Sequence, residues 1–186
     1  QIAMGGEADV DRAVQAAKRV HASGVLTDMR PVERGRMVQA MGRYLLEHLD
    51  EIATVLSLEQ GKTLWEARTE VTGAARYFEY YGNQAETLEG RSIPLGAGYF
   101  DFTTDEPYGV SAQIIPWNFP VEITARSLSA GLTTGNAAVI KPPEMTPLSN
   151  AWFAHAAEAA GWPKGTVNLV CGYGHEAGAA LSAHPD

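Results

Sequence analysis

An asparagine lies between two large aromatic residues and two prolines in the segment IIPWNFP, residues 114–120. The segment follows a predicted strand and precedes a predicted helix, so the Asn118 side-chain amide can point into the crevice at the edge of a sheet as an uncharged donor. Pro116 and Pro120 stiffen the loop that carries it. A donor aimed at an oxygen that gains negative charge is the ingredient of an oxyanion hole. The alternative, which the local sequence favours, is an Asx turn or a helix cap.

Lys141 and Glu144 form a second polar segment, KPPE, just past the second predicted strand of the sheet. At that position in a dinucleotide fold, an acidic residue can accept hydrogen bonds from the adenosine ribose hydroxyls, and a lysine can donate to them. The carboxylate would also repel a 2′-phosphate, so it favours NAD over NADP. The alternative is a pair of solvated surface charges, which is the commoner role of such residues.

Glycines punctuate the segment GYGHEAG, residues 172–178, after the third predicted strand. The spacing is one residue too long for the G-x-G-x-x-G phosphate loop, so the signal for phosphate binding is weak. Gly174 and Gly178 could still allow close helix packing or the approach of a nucleotide to the backbone. A plain turn is an equally good interpretation, and a phosphate-binding loop of another oxidoreductase family is a further alternative.

Cys171 is the only thiol, and it lies at the end of an apolar strand with no lysine or arginine within six residues. We therefore interpret it as a small buried hydrophobe rather than as a nucleophile, although His175 follows four residues later. The five histidines have no metal-ligand spacing, so no metal site is predicted.

These segments require a scaffold in which strands and helices alternate, and the chain from Tyr108 onward has this pattern. Extended runs that end at Ile115 and that cover residues 137–140 and 167–170 predict three strands, each followed by a helix pattern. The arrangement is the opening half of a doubly wound parallel sheet, so the fold class is α/β. Ligands of such sheets bind outside the carboxyl ends of the strands, where the polar segments lie.

Helical periodicity dominates the part of the chain before this sheet. Apolar residues step by three or four over residues 38–56 and 64–88, which predicts two long amphipathic helices separated near Gly61. A shorter helix from about Asp9 to Val20 precedes them.

Two local signals complete the predicted arrangement. Apolar and polar residues alternate over residues 99–104, which predicts an extended, hairpin-like segment between the helices and the sheet. Thr146 and Pro147 predict the N-cap and the first residue of a helix after the second strand.

The composition disfavours several classes of partner. The 186 residues include 14 Lys and Arg against 22 Asp and Glu, for a formal net charge of −8, so there is no cationic surplus for nucleic acid. No apolar stretch approaches the ~18 residues that span a bilayer. A single cysteine cannot form an intrachain disulfide, and a reducing, cytoplasmic compartment is expected. The chain begins at Gln1 and ends directly after a predicted helix, so we expect it to be part of a longer polypeptide.

Several segments, taken in order, closely resemble the aldehyde dehydrogenase superfamily. They are EPYGV (106–110), IIPWNFP (114–120) and GNAAVIKPPEMTPLS (135–149). LEQGK (58–62) and residues 161–170 fit the same family, so the resemblance covers nearly the whole chain. The pairing of PWNFP with a KPPE-type motif is its most specific feature.

The resemblance implies NAD(P)-dependent oxidation of an aldehyde to a carboxylic acid. In that family a cysteine thiolate adds to the aldehyde, the thiohemiacetal gives hydride to nicotinamide, and a glutamate activates the water that releases the acid. Asn118 matches the family's oxyanion asparagine. The family's cysteine and glutamate lie downstream of the part that this chain matches, and Cys171 is not in the nucleophile's motif. This chain alone is therefore expected not to turn over aldehyde.

The resemblance also assigns contacts to NAD, and NADP remains possible because some members of the family use both. The backbone of Ile114, Ile115, Pro116 and Trp117 would lie along the cofactor. Lys141 and Glu144 would contact the adenosine ribose, and Gly174 and Gly178 would lie near the adenine end.

The family's domain organisation divides the chain into three parts. Residues 1–96 would be the helical N-terminal part of the cofactor domain, residues 97–107 a strand segment of a small oligomerisation domain, and residues 108–186 the first half of the Rossmann-like sheet. The implied partners are the aldehyde and either a homo-oligomer (dimer or tetramer) or the remaining half of the same protein. The alternative is a noncatalytic nucleotide-binding or assembly fragment that needs a partner chain.

The helix after PWNFP contributes to the substrate pocket in this family, and Val121, Glu122 and Thr124 are the candidates here. They do not rank one class of aldehyde above another. Many relatives have a lysine where Ser127 stands, so the contribution of such a lysine to the active-site network is left open. Arg126 is not an obvious substitute, because one residue along a helix turns the side chain by about 100°.

Overall fold

The computed structural model describes residues 2–186. Within these residues it has seven α-helices, a two-stranded hairpin and a three-stranded parallel sheet. In chain order the elements are α1 (Glu7–Ala22), α2 (Pro31–Glu47), α3 (Leu49–Gln60), α4 (Leu64–Gln84), β1 (Ser92–Ile93), β2 (Asp101–Phe102), β3 (Val110–Ile114), α5 (Pro120–Thr133), β4 (Ala137–Lys141), α6 (Ala151–Ala159), β5 (Val167–Leu169) and α7 (Ala179–Ala183).

Strands β3, β4 and β5 are parallel and lie side by side in that order, with Ile114 opposite Lys141 and Ile140 opposite Leu169. Strand β4 is buried along its whole length. Helix α1 contacts all three strands, whereas α5 and α6 each contact the sheet and also helix α2. The predicted α/β arrangement, in which three parallel strands alternate with helices, is therefore confirmed.

Helices α2 and α4 cross closely because glycines occupy the positions where their backbones meet. A Cβ atom on Gly35 would collide with the carbonyl oxygen of Gly82. One on Gly42 would lie 2.9 Å from both the Ala75 carbonyl oxygen and the Cβ of Phe78, which is fully buried. The two helices thus touch backbone to backbone, and α4 is held in a fixed position beneath α5, which it also contacts.

The first of the two long helices predicted from periodicity is instead two helices, α2 and α3, which meet at His48. His48 has φ −107° and ψ 21°, outside the helical region. The apolar spacing continues from Leu45 to Leu49 without interruption, so periodicity cannot detect the break. The His48 ring packs against Tyr44 and against Trp152 of α6, with ring centroids 4.4 and 5.2 Å apart.

Helix α6 begins at Ala151, later than the predicted N-cap at Thr146. The carboxylate of Glu59 in α3 accepts hydrogen bonds from the backbone N–H groups of Leu148 and Ser149, at 2.7 and 2.9 Å. A side chain from another helix therefore supplies the acceptor that local sequence assigns to Thr146. The residues before α6 form a turn that is bonded to α3 instead of a first helical turn.

The hairpin begins earlier than the sequence indicates. Ser92 pairs with Phe102 and Ile93 with Asp101 in an antiparallel register. Strand β1 thus lies inside the range 1–96 predicted to be helical, because the helical part ends in a short 3₁₀ turn at Thr87. The assignment of the hairpin to an oligomerisation domain stays a prediction.

We predict that Gly42→Ala destabilises the protein although alanine is the better helix former. The added methyl group must displace backbone atoms of α4, and overpacking of this kind costs about 1–3 kcal/mol. The matched control is Gly73→Ala in α4, whose Cβ would meet nothing closer than 3.5 Å and which is expected to gain up to about 1 kcal/mol. Urea unfolding measures both; equal effects of the two substitutions would contradict the close crossing.

Candidate functional site

The carboxyl ends of the three parallel strands lie side by side, so the three polar segments that follow them start at one edge of the sheet. The Ile115 N–H donates to the Lys141 carbonyl oxygen at 3.1 Å, and the Val170 N–H donates to the Ile140 carbonyl oxygen at 2.9 Å. The loops that follow carry Asn118, then Lys141 to Glu144, then residues 172–178. The structure thus brings the sequence-predicted site residues to a common edge.

Asn118 is exposed, and within residues 2–186 its side-chain amide makes no hydrogen bond. The N-cap of α5 is Phe119, which has no side-chain cap. One carboxylate oxygen of Glu70 in α4 instead accepts from the N–H groups of Val121 and Glu122, at 2.9 and 3.2 Å. Because Glu70 caps the helix, the amide of Asn118 is not used as a cap and is available to a ligand.

The residues before Asn118 differ in how much of them a ligand can reach. Ile114, Pro116 and Trp117 are exposed, and Trp117 has 56% of its surface accessible. Ile115 is buried, and its N–H is used by the sheet. Only the remaining backbone of Ile115 can therefore face a cofactor, whereas its three neighbours offer side chains as well.

Lys141 and Glu144 are bonded to each other, with 2.7 Å between Lys141 Nζ and Glu144 Oε2. The Lys141 side chain is only 3% exposed and that of Glu144 is 40% exposed. A buried ammonium does not fit the alternative of two solvated surface charges. The hydrogen bond from Lys141, followed by a backbone hydrogen bond, lowers the pKa of Glu144, so its carboxylate is negative at neutral pH. The Glu144 side chain stays partly exposed at the strand end.

The glycines of residues 172–178 have different roles. Gly172 touches the chain start, because a Cβ atom there would lie 2.5 Å from the Gly5 carbonyl oxygen. Gly174 is exposed and has no protein atom within 4 Å of a Cβ position. Gly178 is buried at the end of a π turn, Gly174–Gly178, that leads into α7. Open space of this kind beside Gly174 permits a ligand to approach the backbone.

Cys171 is half-buried, and its environment opposes ionisation. Burial raises the pKa of the thiol, and the nearby charges of Lys141 and Glu59 act in opposite directions with smaller effect. A nucleophilic cysteine needs the reverse, a lowered pKa in a cationic setting. The interpretation of Cys171 as a structural residue fits this geometry.

Of the residues expected to face the substrate from α5, the structure leaves only Glu122 at the surface. Val121 and Thr124 are fully buried in the core and do not face an open surface. Glu122 instead lines a surface groove of about 300 Å³ together with Tyr77, Phe119, Ile123 and Arg126. These candidates came from the family resemblance, whereas Val121 and Thr124 lie on the helix face that packs inward.

Ser127 turns away from that groove. Its hydroxyl donates to the Gln113 side-chain oxygen at 3.0 Å, below α5 and against strand β3. Arg126 is exposed and lies on the groove side. The side chains of these two adjacent residues thus point in different directions. Arg126 therefore does not substitute for a lysine at position 127.

Glu70 and Lys62 are the site residues that sequence reasoning missed. Glu70 lies on the buried face of α4 beside Ala67, Val71 and Ala74, and a carboxylate on an apolar helix face was the signal that could have found it. Lys62 belongs to the LEQGK segment, whose contacts with residues 56 positions away no local pattern reveals.

Comparisons with known proteins show the family. The model of the aldehyde dehydrogenase family matches residues 1–186. Hydroxyisobutyraldehyde dehydrogenase from Mycolicibacterium austroafricanum is 42% identical over 186 residues, which are 100% of this chain and 36% of that protein. Retinal dehydrogenase 2 from Homo sapiens is 40% identical over 180 residues, 96% of this chain and 35% of that protein.

Solved structures of similar proteins have the same fold. The crystal structure of PnpE in complex with nicotinamide adenine dinucleotide has a TM-score of 0.96 and 41% identity, covering 100% of this chain and 38% of that one. An NAD⁺ complex of aldehyde dehydrogenase from Bacillus cereus has a TM-score of 0.95 and 37% identity, covering 97% of this chain and 37% of that one.

The chain belongs to the aldehyde dehydrogenase family, and it spans about 36% of the length of the first curated relative that it matches. Within residues 2–186, no helix is long and apolar enough to cross a membrane. The same residues contain no group of three His, Cys, Asp or Glu side chains that could hold a metal ion.

We predict that Cys171 reacts slowly with iodoacetamide in the folded protein. Since burial raises its pKa, the thiolate fraction at a given pH is smaller than in the unfolded chain, where the ordinary value of about 8.5 applies. The rate should still rise with pH above that value. Mass spectrometry of the Cys171 peptide measures the rate, and the same peptide in urea is the control. Faster labelling in the folded state would contradict a structural role.

Proposed function

We propose that residues 1–186 supply the cofactor side of an NAD(P)-dependent aldehyde dehydrogenase, which oxidises an aldehyde to a carboxylic acid. The observation that carries the proposal is the uncommitted amide of Asn118 at the same sheet edge as the Lys141–Glu144 pair. The relatives named above support it, since two are named for aldehydes and two structures contain the dinucleotide.

The residues at the edge fit an adenine dinucleotide. Lys141 has a buried ammonium group with donor capacity beyond its bond to Glu144, and the partly exposed carboxylate of Glu144 can accept from ribose hydroxyls. The backbone of residues 114–117 and the open space at Gly174 complete the proposed binding surface, with Gly178 behind it. When bound, NAD accepts a hydride from the substrate carbon.

Asn118 would stabilise the transition state by donating its side-chain N–H to the aldehyde oxygen as that oxygen becomes negative. A fixed donor of this kind is worth about 2.7–4 kcal/mol of barrier. The nucleophilic cysteine and the general-base glutamate are proposed to lie outside residues 1–186, because Cys171 is half-buried with a raised pKa. If the nucleophile and the base lie in the rest of the protein, residues 1–186 need to supply only the oxyanion donor and the cofactor surface.

The hairpin of β1 and β2 supports the proposal that the enzyme is a homo-oligomer. Phe100 and Phe102 are 84% and 57% exposed, and Tyr99 is 74% exposed. Exposed aromatic side chains that lie together are typical of a surface that packs against other protein. A dimer or tetramer would bury them.

The second candidate is a noncatalytic nucleotide-binding or assembly fragment. Strands β3 and β5 are the edges of the sheet within residues 2–186, and an unpaired edge invites pairing with another chain. Calorimetric titration of the isolated chain with NAD distinguishes the two. Weak or absent binding agrees with an incomplete cofactor site, whereas tight stoichiometric binding favours the fragment as a binding module.

We predict that Asn118→Ala in the full-length enzyme lowers kcat by about 10²–10³ because one oxyanion donor is lost. The dissociation constant for NAD should stay the same, since the amide is proposed to act on the aldehyde. Steady-state kinetics and NAD titration measure both quantities. The matched control is Asn83→Ala, which removes an exposed amide near the end of α4 that is bonded only to Gln39 of α2. A kcat loss that is no larger than the control's would contradict the role of Asn118.

We predict that Glu144→Gln raises the efficiency with NADP relative to NAD by about tenfold, the ratio that corresponds to 1.4 kcal/mol. Glutamine keeps an acceptor for Lys141 but removes the charge that repels a 2′-phosphate. Values of kcat/KM for the two cofactors give the ratio. Glu158→Gln, an exposed carboxylate on α6, serves as the control of equal charge change. An unchanged ratio would show that Glu144 does not face the adenosine ribose.

A further inference from the structure

Lys62, in the segment between α3 and α4, contacts the loop that carries Asn118 and also contacts Glu70 of α4. The Lys62 ammonium group donates to the Asn118 carbonyl oxygen at 3.2 Å and forms an ion pair with Glu70. It also lies over the Phe119 ring, 4.4 Å from the centroid. One ammonium group thus touches two successive residues of the loop and the carboxylate that caps the following helix.

Asn118 has few other anchors. Within residues 2–186 its hydrogen-bond partners are Lys62 and the Gln60 amide, the latter at 3.5 Å, the limit of a hydrogen bond, and both reach only its backbone carbonyl. The prolines at 116 and 120 lack N–H groups and cannot add donors on either side. The direction of the Asn118 side chain therefore depends on a backbone that Lys62 holds.

The ion pair is almost wholly buried, with 8% of the Lys62 side chain and 1% of the Glu70 side chain exposed. Glu70 uses its other oxygen for the Val121 and Glu122 N–H groups, at the positive end of the α5 dipole. The pair therefore holds the backbone from Asn118 to the first turn of α5. Loss of either partner leaves an uncompensated buried charge next to the loop, which is strongly unfavourable.

We propose that Lys62 and Glu70 are positioning residues that set the direction of the Asn118 amide. The inference rests on the proposed function, because it assumes that Asn118 donates to the aldehyde oxygen. Neither residue touches the reacting atoms: both act through the backbone of residues 118–122. If the pair had only a structural role, it would stabilise the contact of α4 with α5 without affecting the direction of the Asn118 amide. The experiment separates a structural role from a positioning role.

The experiment uses the full-length enzyme with Lys62→Met, alone and combined with Asn118→Ala. Lys62→Met should lower kcat by about 10- to 100-fold, the penalty for misplacing a catalytic group by about 1 Å. It should leave the dissociation constant for NAD within about threefold of the wild type, since Lys141 and Glu144 are untouched. In the Asn118→Ala background the same substitution should change kcat by less than about threefold, because the group it positions is gone.

Two further variants separate positioning from stability. Arg68→Met removes the exposed bond between Arg68 of α4 and Asp50 of α3 and is expected to leave kcat unchanged. Lys62→Met with Glu70→Gln removes both charges together, while glutamine keeps an acceptor for the first turn of α5. Thermal unfolding should show that this pair of substitutions restores stability relative to Lys62→Met, whereas kcat should stay low.

Each outcome bears on the inference. Full kcat in Lys62→Met, or recovery of kcat together with stability in the double variant, would overturn the positioning role and leave the proposed function intact. If Lys62→Met lowered kcat as much in the Asn118→Ala background as in the wild type, this result would also overturn the positioning role and leave the proposed function intact. A wild-type enzyme that oxidises no aldehyde would overturn the proposed function itself, and the inference with it.

Discussion

The first turn of helix α5 has N–H groups that the helix cannot satisfy, and the way they are satisfied determines the site. Every α-helix has this constraint, and asparagine is among the residues that most often meet it locally. Here a carboxylate from helix α4 accepts two of these N–H groups. Because Glu70 meets the need of the helix from outside, Asn118 keeps its amide for a ligand.

A second carboxylate repeats this arrangement one strand further along the sheet. Glu59 at the end of α3 binds the N–H groups of Leu148 and Ser149, just after the KPPE segment. The helices before the sheet thus supply acceptors to two of the loops at its carboxyl edge. Their own positions depend on the close crossing of α2 and α4 at Gly35 and Gly42. The helical region is therefore the part of the chain that orients the loops, whereas the sheet only brings them together.

The division between what the sequence predicts and what it does not follows the range of the interactions. Strand β4 and its neighbours are predictable because a short apolar run bounded by turn residues carries its own signal. Asn118 and the KPPE pair could be identified because they directly follow such runs. The break at His48 is not predictable, since the apolar spacing passes through it and the ring's partner Trp152 is distant in sequence.

Longer-range contacts account for the remaining differences. Thr146 has the local features of an N-cap, yet its hydroxyl has no hydrogen-bond partner within the described residues, and Glu59 binds the loop instead. Glu70 bonds to residues 51 and 52 positions away. Local rules name the residue types that can cap or donate, and only tertiary packing decides which of them is used.

The electrostatics of the Lys62–Glu70 pair are compatible with an uncharged donor at the site. A lone lysine behind Asn118 would place an unbalanced charge in a buried position, which is costly. Glu70 balances that charge, and the N-terminus of α5 stabilises Glu70 in turn. The loop is thereby held by charge-assisted bonds, which are stronger than neutral ones, while the pair contributes no net charge beside the amide. An oxygen that becomes negative at Asn118 would then be stabilised by a directed N–H group whose position is fixed before the reaction begins.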